Sequence, residues 1–240
     1  MGIRRGSILT PIIADGLVFN MDAANRASTV PISTITTSFN TIDTNISGAF
    51  SDNGIFDSST IVPSFAFGGT DDYIDASQIK PSSFSAYTYN VWLKTSSTSQ
   101  QYVLGGASGN KSNYPTLSTR FDGSRGIRFI TSGDDLYDTG NLNSHLGNWI
   151  QITITDAGGD DVAAYLNGVS QAITKAVDNG GYRANQSLNI GRGMRNTGGF
   201  TGNYFSGNMG CVHVYNRALS ANEVLHNYNA LKSRFEWVEE

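Results

Sequence analysis

Residues 205–235 constrain what this chain can fold into more than any other stretch. Val212 and Val214 alternate with His213 and Tyr215, a period of two that marks a strand with one face buried. A polar corner follows, and Ser220 stands three residues before Glu223, the spacing at which hydroxyl and carboxylate cap a helix start reciprocally. Behind it Val224, Leu225, Tyr228 and Leu231 recur at helical spacing and predict one amphipathic helix over 220–233. A strand that turns a corner into a lone terminal helix needs a sheet to cover, so the rest of the chain must supply one.

It does so in short pieces. Leu17, Phe19 and Met21 alternate with Val18, Asn20 and Asp22. Residues 65–75 read as two short strands around a Gly-Gly-Thr-Asp turn, and 87–95 as a core strand. Residues 116–121 and 126–131 flank Asp122-Gly123, a hairpin signal. Residues 149–155 and 162–166 are strands, the second ending in Asn167-Gly168, which suits a type I′ turn. Residues 188–192 and 209–215 complete the set, while 28–62 holds short strands among long loops. Gly contributes 27 residues and charged residues only 15% of the chain. Many short strands, frequent turn signals and one helix predict an all-β, two-sheet antiparallel sandwich. The expected core comprises Phe67, Val91, Trp92, Leu93, Trp149, Ile150, Ile152, Ile154, Leu166, Ile190, Val212 and Val214.

These motifs, in this order, resemble the laminin-G-like domains of the concanavalin A-like lectin/glucanase superfamily: Gly16-Leu-Val-Phe with Asp22 soon after, Phe67-Gly-Gly-Thr-Asp-Asp-Tyr-Ile, the Trp92 and Trp149 strands, Tyr165-Leu-Asn-Gly-Val, Leu188-Asn-Ile-Gly, and Tyr215-Asn-Arg-Ala-Leu-Ser before the helix. The resemblance spans about 15–235. It implies a concanavalin A-like jelly-roll sandwich of two antiparallel sheets with one short C-terminal helix. The expected division is an N-terminal arm (1–14), the jelly-roll domain (15–235) and a tail (236–240). Asp22-Ala-Ala-Asn and Tyr228-Asn-Ala-Leu-Lys-Ser-Arg-Phe look most like variants in tailed-phage structural proteins.

The glucanases of this superfamily set carboxylates on alternate positions of one strand. Here all four glutamates lie in the helix or tail, and the Asp71-Asp72, Asp134-Asp135 and Asp160-Asp161 pairs are adjacent and sit in turns, whereas on a strand adjacent residues would face opposite ways. The expectation is no catalysis. Where the family often carries Ile-Asp-Asp-Val and a Ca²⁺ site, this chain reads Met209-Gly-Cys-Val, so no metal and no cofactor is expected. Asp71, Asp72 and Asp75 could still offer oxygens to a hard cation, the other reading being that Asp71 and Asp72 are turn formers. His145, His213 and His226 have no metal-ligand spacing and read as surface or capping groups. Cys211 cannot form an intrachain disulfide and reads as a small buried hydrophobe. Gly105-Gly-Ala-Ser-Gly-Asn-Lys-Ser imitates a phosphate loop without its second glycine and reads as a surface loop.

Net charge is −4, which gives no reason to expect nucleic acid or anionic membrane, and the amino terminus makes a poor export signal. A cytoplasmically assembled virion component, released by lysis, accommodates those features. Two kinds of partner remain open. The arm offers Arg4 and Arg5 for carboxylates and Ile8, Leu9, Ile12 and Ile13 as apolar area. It would dock on other virion proteins or a second copy, unless it is the domain's own edge strand. Tyr102, Tyr114, Tyr137, Tyr182 and Tyr204, with Arg192 and Arg195, are candidates for binding a host glycan. Tyr and Arg are equally suited to protein interfaces, and the sequence leaves both readings standing.

Overall fold

The computed structural model describes residues 11–28, 36–43, 45–51, 55–57, 62–106, 115–131, 136–159, 161–178, 187–193 and 203–235. In chain order these form β1 (Leu17–Asp22), β2 (Thr37–Phe39), β3 (Ser47–Phe50), β4 (Phe56–Asp57), β5 (Ser64–Gly68), β6 (Ile74–Ala76), β7 (Tyr87–Lys94), β8 (Gln101–Gly106), β9 (Thr116–Thr119), β10 (Ile127–Ile130), β11 (Leu136–Thr139), β12 (Ile150–Asp156), β13 (Val162–Leu166), β14 (Val169–Gln171), β15 (Ile173–Val177), β16 (Leu188–Ile190), β17 (Ser206–Tyr215) and the helix α1 (Ala221–Phe235). They build two antiparallel sheets. One runs β14-β13-β12-β7-β17-β5-β4, with β1 also on β17; the other runs β15-β11-β10-β9-β8-β16-β6-β3-β2. This is the sandwich that the alternation and the turn signals predict.

The longest strand, β17, organises the first sheet. Its first half pairs with β5 and its second with β1, while β7 lies along its other edge. Ile74 and Ala76 on β6, Leu188 and Ile190 on β16, and Val91 and Leu93 on β7 point inward and are buried in one shared core. The two strands read around 65–75 are real but fall in different sheets, so the turn between them crosses the sandwich rather than closing a hairpin. At 119–127 there is a hairpin with a wider loop than two residues. Asp122 Oδ1 accepts from the Ser124 and Arg125 amides, and Gly123 takes φ +87°. Those bonds, led by the Ser124 hydroxyl, pull the Asp122 carboxyl well below the usual range. Asn167 and Gly168 have φ 51° and 76°, as a type I′ turn requires.

The outer face of the β17 sheet is covered by α1, which changes several expectations. His213 and Tyr215 are buried as well as Val212 and Val214, so the strand is enclosed on both sides. Trp92 and Trp149 were expected to join the two sheets; instead they lie on the outer side. Trp92 stacks on Phe235 at 4.3 Å between ring centroids, and Trp149, half-buried just before β12, leans on the same ring at 5.0 Å. The phase of β7 explains this, because Val91 and Leu93 take the inner positions. Cys211, packed in this outer cluster with Trp92 and Phe235, is driven to a pKa of about 12 by burial, so it behaves as a small apolar side chain.

The helix start is fixed as its spacing predicts. The Ser220 amide donates to Glu223 Oε2 at 2.8 Å, and Arg217 grips the same carboxylate through both terminal nitrogens. The buried face comprises Val224, Asn227, Ala230 and Phe235. Leu225, expected on that face, is exposed. Asn227 takes an inward place because it has partners there: its Oδ1 accepts from the Ile13 amide at 2.8 Å and its Nδ2 donates to the Tyr215 hydroxyl at 2.9 Å. The Tyr215 hydroxyl donates to the Ile13 carbonyl at 3.0 Å, closing a ring of three bonds. Among the described residues no helix is long and apolar enough to cross a membrane.

Candidate functional site

On the outer face of the β8-β16-β6 region the strand phase exposes a polar row. Ile74, Ala76, Leu188 and Ile190 take the core, so Tyr73 and Asp75 on one strand and Asn189 on the next face outward. Gly191, with φ +85°, then reverses the chain, and residues 192–193 lie back across the sheet over Gly105. A Cβ on Gly105 would stand 2.7 Å from the Arg192 carbonyl oxygen and the Gly193 Cα, so only glycine allows this close crossing. The reversal carries Arg192 over its neighbours. Its guanidinium sits 3.2 Å from the centroid of the Tyr73 ring, and its Nε donates to Asn189 Oδ1 at 2.8 Å. Burial holds the Arg192 pKa below the usual arginine range, against the opposing pull of Tyr73, Tyr204 and Asp75.

Tyr102 packs beside this strap, since a Cβ on Gly193 would press on its ring. The Tyr102 amide bonds the Asn203 carbonyl at 2.9 Å, which brings the 203–205 segment, and Tyr204 with it, to the same patch. Across β9 the outward row continues through Ser118 to Arg128, which meets Asp138 in a two-bond fork at 2.7 and 2.9 Å. The patch therefore offers three half-buried tyrosines, set over a buried amide and a shielded guanidinium. Such a surface suits a ligand with flat apolar faces and hydroxyl edges. Asn189 Nδ2 is buried and has no hydrogen-bond partner.

Of the residues expected from sequence, Tyr102, Arg192 and Tyr204 come together here. Tyr137 does not: it is buried in the core and stacks on Phe129 with centroids 5.2 Å apart, because Asp138 rather than Tyr137 holds the outward phase of β11. Tyr114, Tyr182 and Arg195 lie outside the described residues. As members of this patch Tyr73, Asp75 and Asn189 were missed, though the alternation of 73–76 against the Leu188-Asn-Ile triplet carried the signal. Asp72 and Asp75 serve as turn formers, accepting from the Gly68 and Ser77 amides, and among the described residues no three acidic, His or Cys groups cluster as a metal site would need.

The arm is a second candidate region. Arg4, Arg5, Ile8 and Leu9 lie outside the described residues. Ile12 and Ile13, expected to face a partner, pack on the Leu17–Tyr215–Leu219–Val224 cluster instead. The Pro11 carbonyl lies 2.9 Å from His226 Nε2. Beside Pro11 and Ile12 a cleft of about 480 Å³ opens between β1 and α1, with Asp22, His213 and Arg234 among its walls. His213, expected at the surface, is buried here against Asn90.

Comparison with known proteins bears on the fold and the family. The chain matches domain 4 of AbnA, an extracellular family 43 arabinanase from Geobacillus stearothermophilus solved with arabinotriose. The identity is 18% and the TM-score 0.59, over 88% of this chain and 98% of that one. A Trypanosoma rangeli sialidase mutant displaying trans-sialidase activity matches at 14% identity and TM-score 0.59 over 92% of this chain. Streptococcus pneumoniae NanB sialidase, as its K499G mutant, matches at 17% and 0.52 over 68%. The chain spans 33% of the first sialidase and 27% of the second. No curated protein matched it. The model of a family of the concanavalin A-like lectin/glucanases superfamily matches residues 67–225, most of the chain. With the two-sheet sandwich and its closing helix already in view, the protein belongs to the concanavalin A-like lectin/glucanase superfamily.

Proposed function

We propose that this domain is a non-enzymatic carbohydrate-binding module carried on the surface of a phage particle, as a capsid decoration or fibre component that engages host-cell glycans. The observation that carries the sugar reading is the convergence of Tyr73, Tyr102 and Tyr204 on the Arg192–Asn189 pair. Sugar rings stack on aromatic faces, and here the buried Asn189 and Arg192 hold the tyrosine platform from beneath. The arabinanase domain of the same fold was solved with arabinotriose bound in its complex, which favours a glycan over a purely structural role. The absence of catalysis is part of the proposal: the acidic residues of the patch, Asp71, Asp72 and Asp75, occupy the turn and short strand around Tyr73, and two of them are engaged by backbone amides.

A glycan array with the purified domain tests the binding role, and Tyr204→Ala should abolish whatever signal is found while leaving the thermal midpoint within a few degrees. Turnover of a bound glycan that Asp75→Asn abolishes would overturn the non-enzymatic part. The virion setting is supported by the phage-like phrases Asp22-Ala-Ala-Asn and Tyr228-Asn-Ala-Leu. Mass spectrometry of purified particles should find the protein in fixed copy number; its absence from particles would remove that setting.

A further inference from the structure

We propose that the Tyr73–Arg192 patch selects uncharged saccharides over carboxylate-bearing ones, with Arg192 acting as a positioning residue for the tyrosine platform; this rests on the carbohydrate reading above. A lone arginine in a sugar site invites the opposite conclusion, that it receives an acidic sugar. Its surroundings argue otherwise.

Arg192 is only 8% exposed. One face of its guanidinium lies on Tyr73 at 3.2 Å, its Nε is spent on Asn189, and Tyr204 and Asp75 are among its neighbours. A guanidinium forks a carboxylate by offering two parallel N–H groups on its Nε edge or its Nη edge; here the Nε edge is committed to Asn189, and Tyr204 bonds the same side chain. The charge is likewise answered by Asp75. Among the described residues Arg128, another cation on this face, is held in a two-bond fork by Asp138, which Arg125 also approaches at 3.7 Å.

Among the described residues around Tyr73, the further charges are negative: Asp71 is exposed and Asp72 half-buried, two residues and one residue before it. A sugar lying on the Tyr73 and Tyr204 rings would bring its substituents near these carboxylates. Hydroxyls can donate to them; a ligand carboxylate is repelled and also loses its hydration. Arg192 thus acts from beneath, holding the Tyr73 ring at a fixed tilt while Asn189 fixes Arg192.

The test uses the purified domain on paired oligosaccharides: neutral galactose-, glucose- and arabinose-terminated chains, and the same chains ending in sialic or uronic acid. Each pair is measured at low and at high salt. The neutral member should bind about fivefold tighter at low salt, and the gap should narrow as salt screens the carboxylates. Asp75→Asn, which can keep the bond from the Ser77 amide, should raise the acidic-to-neutral binding ratio about threefold. Asp71→Asn is a second variant, exposed enough to leave folding untouched. Equal or tighter binding of acidic members, or a ratio that neither variant moves, overturns the inference and leaves carbohydrate binding intact. A folded domain that binds no member of the panel overturns the carbohydrate reading and this inference with it.

Discussion

Asp22 on the first strand of the domain receives Arg234, in the last turn of its only described α-helix, at 2.8 Å across 212 residues of sequence. The pair is largely shielded, with side-chain exposures of 13% and 25%, and Arg234 Nε and Nη2 have no hydrogen-bond partner. Removing the carboxylate leaves a guanidinium under-satisfied beside Cys211. Asp22→Asn should therefore cost about 2 kcal/mol, between the values for exposed and fully buried pairs. Urea unfolding should show a lower midpoint with an unchanged slope; a loss within the range of surface substitutions would show the pair to be ornamental.

The three-bond ring of Ile13, Asn227 and Tyr215 makes residues 11–14 part of the domain. Asn227→Ala would strand the Ile13 amide and remove a partner from the Tyr215 hydroxyl, at a cost of about 2–4 kcal/mol. Deleting residues 1–14 should therefore lower the thermal midpoint clearly, which differential scanning fluorimetry of the truncation checks; an unchanged midpoint would show the ring to be dispensable.

Trp92 and Trp149 share Phe235 but not the same burial. Trp92→Ala should cost about 3–5 kcal/mol, as expected for a large enclosed ring, and Trp149→Ala about 1–2 kcal/mol, as expected for a half-buried one. Chemical denaturation of both variants should reproduce that order. A larger loss at Trp149 would mean that the cover over Trp92 is not where it is described.

Acidification should act first through His213. Burial holds its folded pKa near 4 against an ordinary value of 6.5, with Asp22 opposing and Arg234 reinforcing the depression. The unfolded chain therefore takes the proton first. Stability from this group is complete above about pH 6.5 and is lost as the pH falls toward 4, by on the order of 2–3 kcal/mol. Glu223, lowered to about 2 chiefly by its bonds from Arg217, acts in the next window: its contribution is present above pH 4.5 and lost as the pH falls toward 2. Urea midpoints for wild type and His213→Gln between pH 4 and 7 should converge at the acid end.

Gly105→Ala tests the chain crossing that carries Arg192. A methyl group there must displace backbone at 192–193, so it should cost about 1–3 kcal/mol and weaken glycan binding. Binding that survives a lowered midpoint would dissociate the strap from recognition.

Most strands and the helix cap were legible because they are local. Alternation in 150–156 and 162–166, the Asn167-Gly168 turn and the Ser220–Glu223 pair each depend on a few adjacent residues. What escaped depends on partners distant in sequence. The strands at 101–106, 136–139 and 173–177 carry weak patterns and form because neighbours pair with them. The outward placement of Trp92 could not be read from its own strand, whose residues 87–93 are all buried; it required knowing that the helix lies over that face. The same holds for the candidate site. Tyr102, Arg192 and Tyr204 were legible as residue types in polar surroundings, but Tyr73 and Asn189 join them only through the pairing of β6 with β16 and the reversal at Gly191.

Both the arm at 11–14 and α1 at 221–235 lie on the outer side of the β17 sheet, whereas the tyrosine patch lies on the outer side of the opposite sheet. Neither of these two segments covers the tyrosines, so the sandwich has a front and a back: one outer face closed by helix and arm, the other left to its own side chains.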